Sequence, residues 1–361
     1  MDFAPLRGSA VALVHGHSVY AVPDFVYPPT APIALLPSSI GAYRTALDAW
    51  LVASVVAVAL AAYLAVRQVR RGIGGAVVGV IGAGVLVASD AVRDSLWLGN
   101  LSFLLAPIAV GVLLLFERGH WREGNALLFL SLLVKPLLAP LLLVPILSRR
   151  WRPLLEAFLA ALVLLVLAVL LVPGGWHFFS VLRYVVSGST LTGKLAVYNI
   201  SIAGLTERLG VSGIGVGVRI VVGALALGVV VRWVRSPREA GDIAALGAYV
   251  LLSTFLVSSL SEDHYLLVML PCVLLAAACR GAGDLLLVLP GLVVLALPRL
   301  VLGSPWNTPS ALQVRYFVAE VLLGITTVVF LVRRNRPRGP CAERISRQHL
   351  ACRHKSPADP M

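Results

Sequence analysis

Residues 149–179 read RRWRPLLEAFLAALVLLVLAVLLVPGGWHFF, and their order decides the fold. Arginines crowd one end, an apolar run fills positions 153–172, and glycines and aromatic residues close the other end. A helix needs about 20 predominantly apolar residues to cross the hydrocarbon core of a bilayer. The run has that length, and its basic flank marks a cytoplasmic end, because Lys and Arg stay on the cytoplasmic side.

The same pattern recurs outward in both directions. Apolar runs near 45–66, 73–90, 101–116, 213–232, 242–260, 265–280, 284–302 and 311–332 bring the expected spans to nine. The 361-residue chain is 59% hydrophobic and 13% charged, whereas soluble domains carry about 25% charged residues. Mean hydropathy is +0.91. The fold class is therefore an all-α polytopic membrane protein, and domain organisation becomes a matter of one helix bundle and its loops. Gly is frequent in the second and fifth runs, as expected where small residues let helix backbones approach closely.

A formal net charge of +13 would suit a nucleic-acid partner, but its distribution excludes one. The basic residues cluster at the ends of apolar runs: Arg67 with Arg70 and Arg71, ERGHWRE (117–123), SRRWR (148–152), RWVRSPR (232–238), Arg280 and RRNRPR (333–338). These are cytoplasmic ends. SDAVRDSLWLGN (89–100), the stretch 173–212, SEDHY (261–265) and GSPWNTPS (303–310) are poorer in Lys and Arg and face the other side. Residues 1–335 form the membrane domain, with 1–40 and 173–212 as extracytoplasmic loops; 336–361 is a basic cytoplasmic tail expected to be disordered. Four cysteines (Cys272, Cys279, Cys341, Cys352) make no disulfide framework, and the tail's Cys and His spacing fits no common zinc pattern.

Residues 124–147 have cytoplasmic flanks on both sides yet are too short to cross twice. LLVKPLLAP (132–140) places Lys135 and two prolines in their middle, which predicts either a re-entrant pair of short helices or one span that departs from the charge rule. Nine spans with a cytoplasmic C-terminus put residues 1–40 outside with nothing ahead to carry them across. The expectation is a preceding helix missing from this sequence, ten spans in all.

Polar residues collect on the extracytoplasmic side: Asp2, Tyr27, Asp90, Asn100, Arg183, Lys194, Asn199, Glu262, Asp263 and His264 among them, rimmed by Trp97, Trp176, Tyr184, Tyr265 and Trp306. A polar floor at one membrane face suits a reaction between a lipid-carried substrate and a water-facing acceptor. Aromatic residues at a membrane interface are more often anchors than ligand contacts, and WHFFSVLRYVV (176–186) has the content of a helix lying in the interface. SEDHY gathers Glu, Asp and His at a helix entry, where charge-assisted bonds would hold a phosphate or a sugar hydroxyl. No phosphate loop, dinucleotide fingerprint or zinc-protease motif stands in a suitable context. Pro28, Pro29, Pro32 and Pro37 forbid one continuous helix across the first loop, which is expected to run as a stiff extended strap.

Five stretches, in this order, resemble the polyprenol-phosphate-dependent glycosyltransferases of family 87, in the GT-C superfamily. They are DFAPLRGSAVALVHGHSVYAVPDFVYPPTAPIALLP (2–37), LGNLSFLLA (98–106), LLVKPLLAPLLLVPILSRRWR (132–152), YNISIAGL (198–205) and SEDHYLLVMLP (261–271). The resemblance covers the chain to about residue 335. It implies a GT-C-type bundle in the plasma membrane, with its active site on the extracytoplasmic side. It implies a polyprenyl-phosphate-sugar donor and a glycolipid or glycan acceptor in cell-envelope biosynthesis, without cofactor or metal. One inverting displacement is implied, with a first-loop carboxylate as general base; by position that is Asp2. His264 matches the outer-segment His and is expected to hold the donor phosphate. Lys194 and Arg183 are further candidates from composition, and Tyr27 is either a donor-pocket residue or part of an interfacial connector. The sugar expected is mannose, with arabinofuranose the near alternative. A lipid or sugar transporter is the alternative from another class, and the Lys135–Pro136 break is its best support.

Overall fold

The structure is a computed structural model and describes residues 3–68, 84, 92, 99–187, 199–235, 241–259, 261–296 and 309–333. All its regular elements are helical; the one extended pairing among the described residues is an isolated bridge between Asn199 and Glu262.

The first loop is not an extended strap. It opens with helix α1 (Phe3–Val14), turns through Val19–Ala21, forms the short α2 (Ala31–Ala34) and turns again at Leu36–Ser39. Pro5 falls in the first turn of α1, where its missing N–H costs nothing, and Pro32 and Pro37 likewise start α2 and the last turn. The prolines thus punctuate short helices, although they do forbid a single long one. The loop has its own core: Phe3, Leu6, Ala10, Val19, Phe25 and Leu35 pack with Trp50, Leu101 and Val172.

Next comes α3 (Tyr43–Val66), then α4 (Ser102–Glu117) and α5 (Trp121–Val134). A tight 3-10 turn over Pro136–Leu142 leads into α6 (Leu143–Leu147), so residues 124–147 are helical pieces broken at Lys135. The opening stretch forms α7 (Trp151–Leu171), followed by α8 (Phe178–Ser187), α9 (Ile202–Arg208) and α10 (Ser212–Arg235). The chain continues through α11 (Asp242–Val257), α12 (Leu266–Arg280), α13 (Ala282–Leu285), α14 (Leu289–Ala296) and α15 (Pro309–Val332). Among the described residues four helices are long and apolar enough to cross a membrane: α3, α7, α10 and α15. The chain is a multi-pass membrane protein. The expected span at 284–302 is not one helix: Pro290, in the first turn of α14, has no N–H and would clash with the preceding turn, so α13 ends before it. The expected span at 73–90, save for Gly84, and the tail lie outside the described residues.

Burial sorts these helices. From Leu266 to Cys279 every residue of α12 is buried, and this helix packs on α3, α4, α11 and α15. Only Gly215 and Trp233 are buried in α10, and α7 turns most of its apolar surface outward. A helix apolar all round is either a core helix or faces lipid; here both kinds occur. At one end the core is stapled by charge. Glu117 at the end of α4 accepts from the backbone N–H of Ala244 (2.7 Å) and of Gly241 (3.3 Å), and so caps α11. Arg280 pairs with Asp242 (2.8 Å), approaches Asp284 (3.8 Å) and donates to the Arg333 carbonyl (2.9 Å).

Candidate active site

The opposite end of α12 meets the break after α5. The residue before a proline is driven out of the helical region. Lys135 accordingly takes extended angles (φ −149°, ψ 120°) and ends α5, which turns its side chain away from the helix row. Its ammonium, on a residue 8% exposed, lies 3.0 Å from Asn100 Oδ1 and 3.0 Å from Ser102 Oγ. The same Asn100 oxygen accepts from the Ser102 backbone N–H (2.8 Å), a local Asx turn that leads into α4. Gly99 precedes it at φ +67°, with Phe3 packed so close that a Cβ there would lie 2.7 Å from the Phe3 Cβ. The start of the first loop therefore rests directly on this turn, and Trp50 donates to the Gly99 carbonyl (3.0 Å) to hold it from below.

Two aromatic rings flank the ammonium, Tyr27 at 5.8 Å and Tyr265 at 5.7 Å. Electron-rich faces at this distance stabilise a cation taken out of water. The Tyr27 segment is held in place twice: Tyr20 donates to the Tyr27 carbonyl (2.9 Å), and the Thr30 hydroxyl donates to the carbonyl of Leu133, near the end of α5.

His264 completes the group. It is 2% exposed, its Nε2 is 3.0 Å from Glu262 Oε2 and 3.4 Å from Lys135 Nζ, and its ring stands edge-on to Tyr265. Burial first, and the neighbouring ammonium second, hold this imidazole well below the ordinary histidine range. It is neutral, so Nε2 serves one neighbour at a time: carrying the proton it donates to Glu262, bare it accepts from Lys135. The shorter contact is with the carboxylate, a hydrogen bond rather than an ion pair. The result is one ammonium, one carboxylate and a neutral imidazole between them, at one end of the helix bundle.

Two of the residues expected from sequence, Tyr27 and His264, are brought together here. Arg183 is exposed on α8 and makes none of these contacts. Asp2 and Lys194 lie outside the described residues. The residue that sequence reading left off the list of site residues is Lys135, which it placed in the family's Lys-Pro motif and gave as the best support of the transporter alternative. A lone lysine in an apolar run is itself the signal of a working site; what the sequence lacks is its distance to His264.

The helical membrane protein thus buries a lysine and a histidine together at one end of its bundle, with a partly exposed glutamate and two tyrosine rings beside them. The chain belongs to glycosyltransferase family 87, whose model matches residues 25–259. It is also similar to an alpha-(1->3)-arabinofuranosyltransferase of Mycobacterium tuberculosis, in strains CDC 1551 and H37Rv alike. Identity is 26% over 289 residues, covering 75% of this chain and 64% of the relative. No solved structure matches the chain.

Proposed function

We propose that this protein transfers a sugar from a polyprenyl-phosphate carrier to a hydroxyl of a cell-envelope glycan or glycolipid, and that the sugar is arabinofuranose rather than mannose. The family supports glycosyl transfer. The named activity of the mycobacterial relatives favours arabinofuranose over the mannose expected from sequence. The observation that carries the reading is Lys135: a buried ammonium, held by Asn100 and Ser102 and flanked by Tyr27 and Tyr265, is a ready counter-charge for a lipid phosphate.

In the reaction the acceptor hydroxyl attacks the anomeric carbon and the bond from that carbon to the phosphate oxygen breaks, with inversion. The departing phosphate gains a negative charge, which Lys135 neutralises at the moment it appears. His264 fixes the Glu262 carboxylate beside the ammonium and keeps both from turning away. Asp2, by its place in the first loop, takes the proton of the acceptor hydroxyl. The site faces away from the cytoplasm, and the pieces broken at Lys135 form the re-entrant pair that lets this lysine reach it from within the bundle.

The test is transfer by the full-length protein in membranes, supplied in turn with labelled polyprenyl-phosphate-arabinose and polyprenyl-phosphate-mannose. Product from the arabinose donor is expected. Product from mannose alone would reverse the sugar assignment, and no product from either, with the protein intact, would sink the reading.

A further inference from the structure

Glu262, and the 3-10 turn Asp263–Tyr265 that carries His264, precede α12, so something must hold them against Lys135. The chain that does so is distant in sequence. Asn199 is buried, and its carboxamide bonds two backbone stretches: Oδ1 accepts from the N–H groups of Ser201 (3.0 Å) and Ser261 (3.0 Å), and Nδ2 donates to the Ser259 carbonyl (2.8 Å). The main chain follows the same pairing, with the Ile200 N–H on the Ser261 carbonyl (2.7 Å) and the isolated Asn199–Glu262 bridge. One side chain thus grips Ser259 and Ser261, on the stretch that leads straight into Glu262.

Asn199 is itself gripped. Arg208 donates to its carbonyl, and Gly204 lies so near that an added Cβ would stand 2.6 Å from the Asn199 Cγ. Ser201, bonded to the same carboxamide, caps α9 by accepting from the Gly204 N–H (3.2 Å). The first turn of α9 is therefore a mould for the asparagine, and the asparagine is a mould for the loop.

We infer that Asn199 is a positioning residue for the transfer reaction. Its carboxamide sets the places of Ser259 and Ser261, and hence of the Glu262 carboxylate and the His264 imidazole relative to Lys135. The inference rests on the glycosyl-transfer reading above. Misplacing a reacting group by about 1 Å costs on the order of 100-fold in rate, so the effect belongs in kcat, with the donor still bound through Lys135.

Asn199→Ala and Asn199→Asp are compared with wild type for kcat and donor KM, for the pH profile, and for backbone amide exchange over residues 257–266. Asn199→Ala should lower kcat about 100-fold with donor KM little changed, and should speed exchange at Ser261. Asn199→Asp keeps both acceptor bonds but, ionised, sets an oxygen against the Ser259 carbonyl. Protonated it restores the donor, so its kcat should recover relative to wild type as pH falls, which Asn199→Ala cannot do. A merely structural residue would change the yield of folded protein without this pH signature. Asn199→Ala at wild-type kcat, or with unchanged exchange at Ser261, overturns the inference; should that variant aggregate, a flat pH ratio for Asn199→Asp overturns it. Absence of transfer by wild type would instead sink the glycosyl-transfer reading, and exchange measured on the same samples tells the two failures apart.

Discussion

Helix α12 ends in charge twice, and the two ends are built for different work. At Arg280 the partners are the Asp242 and Asp284 carboxylates and a backbone carbonyl, while Glu117 nearby spends both oxygens on the first turn of α11. There charge closes helix termini, where a carboxylate at an N-terminus and a cation at a C-terminus are each favourable. At His264 no helix end is being closed. Lys135, Glu262 and His264 come from two segments outside the helix rows, and aromatic rings share the burden of burying the ammonium. The first end is a joint; the second is a cluster of polar side chains that meet one another.

Three experiments strain that contrast. The largest effect is expected from Lys135→Met, which keeps the unbranched stem and removes the charge. Loss of one donor aimed at developing charge costs about 100- to 1000-fold in kcat, and the transfer assay should show that drop with folded protein still recovered. Transfer close to wild type would mean that the lysine only packs. Glu117→Gln should behave in the opposite way. It weakens a helix cap, for a cost of about 1 kcal/mol in stability, read as a lower unfolding temperature in detergent, with kcat per folded molecule unchanged. If kcat fell and stability held, the Glu117 end would no longer be a simple joint.

The smallest effect concerns pH. The folded protein keeps His264 neutral because burial and Lys135 lower its pKa, whereas an unfolded histidine titrates near about 6.5. Below that value the unfolded chain binds a proton that the folded one refuses. Stability should therefore be full above about pH 6.5 and decline as pH falls. His264→Asn removes this contribution, so its unfolding temperature should fall less steeply on acidification than that of wild type. Equal slopes would place the histidine in a wetter setting than the structure gives it.

The contrast also explains what could be read in the sequence. Runs such as 153–172 and 213–232 became α7 and α10 almost residue for residue, because a lipid-facing helix is dictated by its own composition. The interruption at Lys135 was legible too, since a residue before proline leaves the helix for local reasons. Helix α1 was not: Pro5, Arg7 and Gly8 read as loop, and the helix is stabilised by Phe3 and Leu6 packing under Trp50 and Leu101, contacts that no local pattern records. Within the site, His264 and Tyr27 were named from their motifs, but Lys135, although part of a motif, was not named as a site residue. Its role depends on distances of 3.0 Å to Asn100 and 3.4 Å to His264, across 35 and 129 positions of chain.

Those separations bear on how the protein is made. Synthesis runs from the N-terminus, so Lys135 meets Asn100 and Ser102 while the rest of the bundle is still to come. Its third neighbour is not made until residue 264, and the clasp between Asn199 and Ser261 cannot close before then. A chain halted between those points carries the lysine and its two oxygen partners but neither Glu262 nor His264. The cluster is completed late, by the arrival of the segment that begins α12.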